Sequence, residues 1–427
     1  MSLRNRELVN LIAVGILTCV GFASVYIARQ DQISSTSLTY AAYFFALYLI
    51  AHVIARVTVP YADPYLLPIV GLLTAVGLIE IYRLQPDDAR RQAGWIVVGV
   101  VLFAITLWLL RFDYRVLENY RYLFGVGAVG LLVLPALPVI GRQINGARLW
   151  VRFGPIQFQP GELAKILLIL FLAGYLREKR EVLAQGRLKD LGPLLVIWGA
   201  SILVLIETDD LGSALLFFGI FLAMLYVATA RLAYVAAGAV LFVAGAAAAY
   251  KAIPRVQERI SIWLDPWPHI HNTSYQLVES LYAIANGGFG GTGFGKGTVA
   301  TAPPHSVPLI PDAHTDFIYS TLAQEVGLIG AAALLLVYML YISRGFRIAL
   351  LTDDGFSKLL AAGLTFSFAL QTFIIVGGIL RLIPLTGITL PFVSYGGSSI
   401  VANFVALALL LLISNRANRA SGGREGN

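Results

Sequence analysis

Apolar runs of about twenty residues recur along almost the whole 427-residue chain, and that length is what an α-helix needs to cross the hydrocarbon core of a bilayer. Twelve such segments can be marked, at roughly 8–28, 38–57, 65–82, 92–110, 119–139, 159–176, 191–206, 210–228, 232–252, 316–342, 356–380 and 394–414. With 58% hydrophobic residues, 13% charged and a mean hydropathy of +0.77, the composition excludes an ordinary soluble domain. It predicts an all-α polytopic integral membrane protein. The first run follows Arg4 and Arg6, as a signal peptide would, but its length and the lack of a small-residue cleavage site favour a retained helix. One cysteine, Cys19, leaves no intrachain disulfide and no multi-cysteine metal site.

One stretch of about sixty residues, 254–315, interrupts the pattern and is mostly polar and rich in Gly and Pro. Backbone without internal hydrogen bonds cannot sit in lipid, so this stretch is expected in water or lining a cavity. An even number of spans returns both termini to one side. If that side is cytoplasmic, the inner loops carry Arg111, Arg115, Arg121, Arg177, Lys179, Arg180, Arg187, Lys189, Arg344, Arg347 and Lys358, with Arg416 and Arg419 in the tail, as the positive-inside bias requires. The stretch 254–315 and the loop 141–157 then lie outside. The second loop holds Arg142, Arg148 and Arg152, which break the bias and mark either lipid-headgroup contacts or a function at the outer face. The net charge of +7 is spread over many short loops, which argues against nucleic acid and for an anionic lipid or substrate.

Three places combine charge with apolar surroundings. In Gln159-Pro160-Gly161-Glu162-Leu163-Ala164-Lys165, Pro160 suits the first turn of a helix, and Glu162 and Lys165 share one face at i, i+3. Charges entering the membrane are functional candidates by default; the alternative is an ion pair that locks two helices. In Glu207-Thr208-Asp209-Asp210, carboxylates either bind a cation or cap the next helix. Within 254–315, residues from Tyr275 to Leu281 show helical periodicity, and Gly290 to Gly297, with Lys296, has the glycine spacing of either a phosphate nest or a flexible turn, the turn being favoured. At the return to the membrane, Thr315 or Asp316 can cap the next helix, or Asp316 can serve as a base, and Asp265 before Pro266 suits a turn as well as a ligand.

The ordered motifs carry a resemblance. Gln159 to Lys165, Asp210-Leu211-Gly212, Leu264-Asp265-Pro266-Trp267, Tyr275-Gln276-Leu277-Val278, Ala313-His314-Thr315-Asp316-Phe317, Glu325-Val326-Gly327-Leu328 and Pro391-Phe392-Val393-Ser394-Tyr395-Gly396-Gly397 are similar in type and order to the SEDS family (shape, elongation, division and sporulation), which includes RodA, FtsW and SpoVE. Ser274, Gly161 and Ser213 depart from its usual residues. The resemblance spans about Asp63 to Asn415 and implies a ten-helix core (61–415), a two-helix N-terminal addition (1–60) like that of RodA-like members, and a tail at 416–427.

It further implies a bacterial cytoplasmic-membrane enzyme with its active site outside, polymerising lipid II into glycan and releasing undecaprenyl pyrophosphate, beside a class B penicillin-binding protein and membrane lipids. The family's proposed catalytic aspartate maps onto Asp316, and its intramembrane pair onto Glu162 and Lys165. Substrate contacts are expected from Arg148, Arg152, Arg259, Asp265, Tyr275, Gln276, Lys296, His314 and Ser394. The chemistry needs one base for a sugar hydroxyl and cations for a departing diphosphate, from Arg, Lys or a divalent ion such as magnesium or manganese. No other cofactor is expected. Alternatives at this stage are a lipid II flippase, or a scaffold that activates the transpeptidase.

Overall fold

The computed structural model describes residues 2–30, 35–138, 140–144, 147–154, 156–185, 191–300 and 310–424. Within them run helices α1 (Leu3–Gln30), α2 (Ser35–Thr58), α3 (Leu66–Leu84), α4 (Pro86–Leu110), α5 (Val116–Asn119), α6 (Arg121–Val133), α7 (Pro160–Ala184), α8 (Gly192–Glu207), α9 (Leu211–Thr229), α10 (Leu232–Ala252), α11 (Pro254–Leu264), α12 (Tyr275–Gly287), α13 (Ile318–Leu351), α14 (Gly355–Ile379) and α15 (Gly397–Arg424). Each of the twelve apolar segments coincides with one of these helices. Among the described residues nine are long and apolar enough to cross a membrane, α6 and α8 are shorter apolar helices, and α7 carries Glu162 and Lys165 near its start. Proline stands at the first turn of α7, α8 and α11, where its fixed φ suits the helix and its missing N–H costs nothing.

The chain divides into two compact units: 1–101, 248–341 and 371–400 form the first, and 102–247, 342–370 and 401–427 the second. In the first unit the stretch 254–315 meets the ends of several helices. The loop after α12 meets α1, where a Cβ on Gly295 would stand 2.7 Å from that of Ala28. His314 reaches Asp88 at the start of α4, and Arg259 reaches the segment 380–396. Inside the same unit Arg83 of α3 is buried between two carboxylates, Glu80 at 2.9 Å and Glu325 of α13 at 2.8 Å.

Glu325 stands just ahead of a break. Gly327 leaves helical geometry at φ 67°, ψ −173°, and dividing α13 there frees backbone groups that need partners. The glycine-rich loop supplies them: Thr292 and Gly293 donate to the carbonyls of Gln324 and Glu325 at 3.0 Å, and Leu328 donates to Gly288 at 2.8 Å. The amides of Gly295 and Gly297 donate to Glu325 Oε1 at 3.0 and 3.1 Å. This corrects both readings of the glycine spacing. The anion in the nest is a side chain of the protein itself, and the loop is a bonded element rather than a free turn.

Two further expectations are corrected. The stretch 254–315 is not plain loop: α12 bears out the helical periodicity read from Tyr275 to Leu281, and α11 folds ahead of it; residues 301–309 lie outside the described residues. The outer loop 141–157 folds as an antiparallel sheet of β1 (Gly141–Ile144), β2 (Ala147–Phe153) and β3 (Ile156–Phe158), in the order β1-β2-β3. It belongs to the second unit, where α6 and α9 pack on α7 and the amide of Arg148 donates to Thr208 at the α8–α9 corner. At the corner itself Asp210 accepts from the Ser213 amide at 2.9 Å, the capping role expected for one of these carboxylates. The opposite end of that unit holds ion pairs expected on the cytoplasmic side: Arg115 and Arg416 on Asp113 at 2.8 and 3.3 Å, and Arg177 on Glu118 at 2.6 Å. Arg187 and Lys189 lie outside the described residues.

The glycine loop sets a test. Gly291 sits at φ 79°, and a Cβ there would stand 2.0 Å from the Glu325 carbonyl oxygen. Gly291→Ala is therefore expected to destabilise the protein by about 1–3 kcal/mol, seen as a lowered unfolding temperature in detergent, whereas Gly290→Ala, at an open position, leaves it nearly unchanged.

Candidate functional site

Asp316 lies in the turn that enters α13 and does not cap it. The helix begins at Ile318, the amides of Ser320 and Thr321 reach the carbonyl of Phe317, and the Thr315 hydroxyl donates to the Asp312 carbonyl at 2.7 Å. The Asp316 carboxylate is thus left without a helix amide. Gly387, at φ 75°, brings its backbone against this group: a Cβ there would be 3.5 Å from Asp316 Oδ2. Glycine at this point serves the close approach as well as the left-handed turn.

The electrostatics oppose one another. Burial and the neighbouring charge of Asp312 push the Asp316 carboxyl from its ordinary value of 3.8 up to about 6, while Arg259 and the Thr315 hydroxyl pull it down. A carboxylate tuned into this range is ionised at neutral pH yet basic enough to accept a proton.

Arg259 is placed by α11. Its Nη1 donates to Thr386 O at 3.0 Å, next to Gly387. The end of α11 is held by a reciprocal clamp: Trp263 Nε1 donates to Arg381 O at 3.0 Å, and Arg381 Nη2 donates to the carbonyls of Trp263 and Leu264 at 2.9 and 3.0 Å. Carbonyls left open at a helix C-terminus are thereby satisfied by a cation, the favourable sign for that end.

The other flank of Asp316 is set by His314. Its Nε2 stands 3.3 Å from Asp88 Oδ2, its ring packs on Tyr395 with centroids 5.3 Å apart, and its carbonyl accepts from the Tyr395 amide. Burial pushes the imidazole below its usual range against the opposing pull of Asp88 and Asp312, so it is neutral at pH 7. Ser394 is buried, donates its hydroxyl to the Thr315 carbonyl and accepts from the Leu390 amide. It ties the segment 380–396 to the turn that carries Asp316. Gln276 of α12 does the same from another side, donating to Pro311 O at 3.2 Å.

Among the expected site residues, the first unit gathers Asp316, Arg259, Gln276, His314 and Ser394 around one turn. Asp265 forms a turn, accepting from the Trp267 amide at 3.3 Å, and Tyr275 opens α12. Lys296 is exposed on the glycine loop. In the second unit Lys165 Nζ lies 2.8 Å from Glu162 Oε2, with both side chains largely buried, and Arg148 and Arg152 stand exposed on β2. Asp88, Asp312, Arg381, Gly387 and Tyr395 were not anticipated as parts of the site. Asp312 precedes Asp316 by four residues and Tyr395 stands within a quoted motif; Asp88, Arg381 and Gly387 are joined to Asp316 by folding alone. Among the described residues no group of three or more His, Cys, Asp or Glu could hold a metal, and the donor set around Asp316 does not build a resident metal centre.

Comparison with known proteins matches the profile of the family described as "Cell cycle protein" (FtsW, RodA, SpoVE) to residues 65–419. The chain is 41% identical to "Peptidoglycan glycosyltransferase RodA" of Mycobacterium tuberculosis, over 99% of this chain and 93% of the relative. Its fold resembles a chain from the structure "Structural coordination of polymerization and crosslinking by a peptidoglycan synthase complex", with a TM-score of 0.70 and 30% identity over 83% of this chain and 98% of that one. Rod shape determining protein RodA of Thermus thermophilus gives a TM-score of 0.58 at 27% identity, covering 83% and 96% of the two chains.

The raised carboxyl predicts a pH-dependent stability. The folded protein holds this proton up to about pH 6, the unfolded chain only to about 3.8, so stability falls as pH rises between those values and stays lower above them. Asp316→Asn removes the loss. The variant is expected to be more stable than the parent by about 1–3 kcal/mol above pH 6 and to match it near pH 4, read from unfolding temperatures at both pH values.

Proposed function

This chain belongs to the FtsW, RodA and SpoVE family, and on that premise we propose that it is a peptidoglycan glycosyltransferase that polymerises lipid II at the outer face of the bacterial cytoplasmic membrane. Both termini are then cytoplasmic, and the elongation role of RodA-like members is the cellular setting. A class B penicillin-binding protein is the partner that cross-links the product. What carries this reading is the carboxylate of Asp316: free of any capping role, tuned to about 6, and flanked by a fixed guanidinium.

In the reaction, the 4-hydroxyl oxygen of one lipid-linked saccharide attacks the anomeric carbon of another. The bond from that carbon to the diphosphate oxygen breaks, and undecaprenyl diphosphate leaves with the electron pair. Asp316 accepts the hydroxyl proton and later releases it to water. Such general-base help is worth about a hundredfold to ten-thousandfold. A protonated carboxylic acid on the leaving side is unnecessary, because a diphosphate departs as a stabilised anion; what it needs is positive charge where its own charge develops. Arg259 supplies one such charge beside Asp316. His314 orients the turn through Asp88 and Tyr395. The pair Glu162 and Lys165 of the second unit balances its own charge in the apolar layer.

The test is polymerisation of lipid II by purified protein, alone and with its transpeptidase, in the presence and absence of a chelator. Asp316→Asn is expected to lower the rate by about a hundredfold or more while the protein remains folded, and normal polymerisation by that variant would show that the base is misassigned. Movement of labelled lipid II between leaflets without polymer would instead identify a flippase. A variant complex unimpaired in both assembly and synthesis would identify a scaffold.

A further inference from the structure

The small outer sheet separates its side chains by face, except where a register shift between Arg142 and Ile144 interrupts the β1–β2 pairing opposite Arg148. Gly141 pairs with Val151 and Arg142 with Trp150, while Val151 and Arg152 pair with Phe158 and Gln157. Directly paired residues share a face, and residues two apart on a strand share it too. The face holding Val151 turns inward: Val151 is fully buried, and a Cβ on Gly141 would collide with the carbonyl oxygen of Pro135. The opposite face therefore presents Arg142, Arg152 and Gln157 around a half-buried Trp150, with Arg148 beside them at the register shift, and the three arginines are exposed. Arg142 lies across from the indole at about 5 Å between strands, Arg152 lies about 7 Å along β2 on the same face, and Arg148 precedes Trp150 by two residues at the register shift.

These arginines differ from the basic residues that hold ion pairs elsewhere in the described chain. Arg4, Arg83, Arg91, Arg115, Arg121, Lys165, Arg177 and Arg416 each face a carboxylate. Among the described residues no ion pair involves Arg142, Arg148 or Arg152; the one side-chain bond of the set is from Arg152 Nε to the carbonyl of Gly154 at 3.0 Å. The nearest acidic turn approaches through its backbone, at the Thr208 carbonyl. Like charges gathered on one side of the sheet, with no ion pair of their own among the described residues, repel one another and favour an anion among them. A guanidinium presents paired donors matched to phosphate oxygens, and an indole between cations gives them a surface to stack on.

We propose that this face is a docking site for the diphosphate of a polyprenyl lipid, holding the lipid-linked substrate or the released carrier by its charged end. The inference rests on the function proposed above for its choice of lipid. Charge complementarity decides that choice, since an ordinary phospholipid diester offers a single negative charge to three guanidiniums, whereas a diphosphate offers two or more.

The experiment measures binding of undecaprenyl diphosphate to the full-length protein in nanodiscs, with undecaprenyl monophosphate and phosphatidylglycerol as competing arms. Replacing Arg142, Arg148 and Arg152 together by Gln is expected to weaken diphosphate binding by about tenfold or more, and to flatten its salt dependence. The single variants Arg142→Gln, Arg148→Gln and Arg152→Gln, each expected to lose about two- to fivefold, carry the test if the triple variant does not fold. Asp316→Asn is expected to bind like the parent, so loss of the base and loss of the dock are read separately. Unchanged diphosphate affinity in the arginine variants overturns the site, and equal competition by phosphatidylglycerol overturns the choice of lipid.

Discussion

A guanidinium within a membrane span cannot be left without partners, and the first unit is organised around one. Arg83 holds Glu80 on its own helix and Glu325 on α13, and it donates to the Gly297 carbonyl at 3.2 Å. Removing such a charge from between two buried carboxylates costs about 3–5 kcal/mol, because what remains is uncompensated. The same Glu325 oxygen accepts from two amides of the glycine loop, so a single buried cluster fixes α3, α13 and the outer loop at once. The break at Gly327 is tolerable because that loop satisfies the backbone groups it frees.

Asp316 depends on this anchoring. It stands a short way ahead of Glu325, on the side from which the chain enters α13, and is surrounded by segments that would otherwise be loose. Ser394 and the Tyr395 amide bind the turn from the segment 380–396, Gln276 binds it from α12, and Asp88 holds His314 beside it. Arg381 and Arg259 fasten α11 to the same segment. A base must sit within a fraction of an ångström of its working position to be useful. Here the position is set by hydrogen bonds from several elements of one unit, while the carboxylate itself caps no helix.

The helices were legible because a bilayer imposes a length that apolar runs reveal directly. Among the shorter elements α12 showed its periodicity from Tyr275 to Leu281, but α11 and the small sheet were not legible, for physical reasons that differ. In α11 the apolar residues Val256, Ile260 and Trp263 have helical spacing, but Arg255, Gln257, Glu258 and Arg259 lower its hydropathy below anything a membrane-length window detects. The sheet 141–158 carried its alternation in plain view, with Leu149, Val151 and Phe153 opposite Arg148, Trp150 and Arg152, yet its strands are too brief to stand out from a loop. Asp316 was found through its motif. The partners that tune it, Asp312 apart, come from distant parts of the chain, and no local pattern announces that Asp88 will face His314 or that Gly387 will lie against the carboxylate.

The account turns on the proton affinity of one carboxyl group, and the pH dependence of lipid II polymerisation under saturating substrate measures it most directly. A base titrating near 6 predicts a rate that climbs about tenfold per pH unit below that value and levels off above it, with the limb absent from the residual activity of Asp316→Asn. A rate flat from pH 5 to 8, or the same limb retained in the Asn variant, would contradict it.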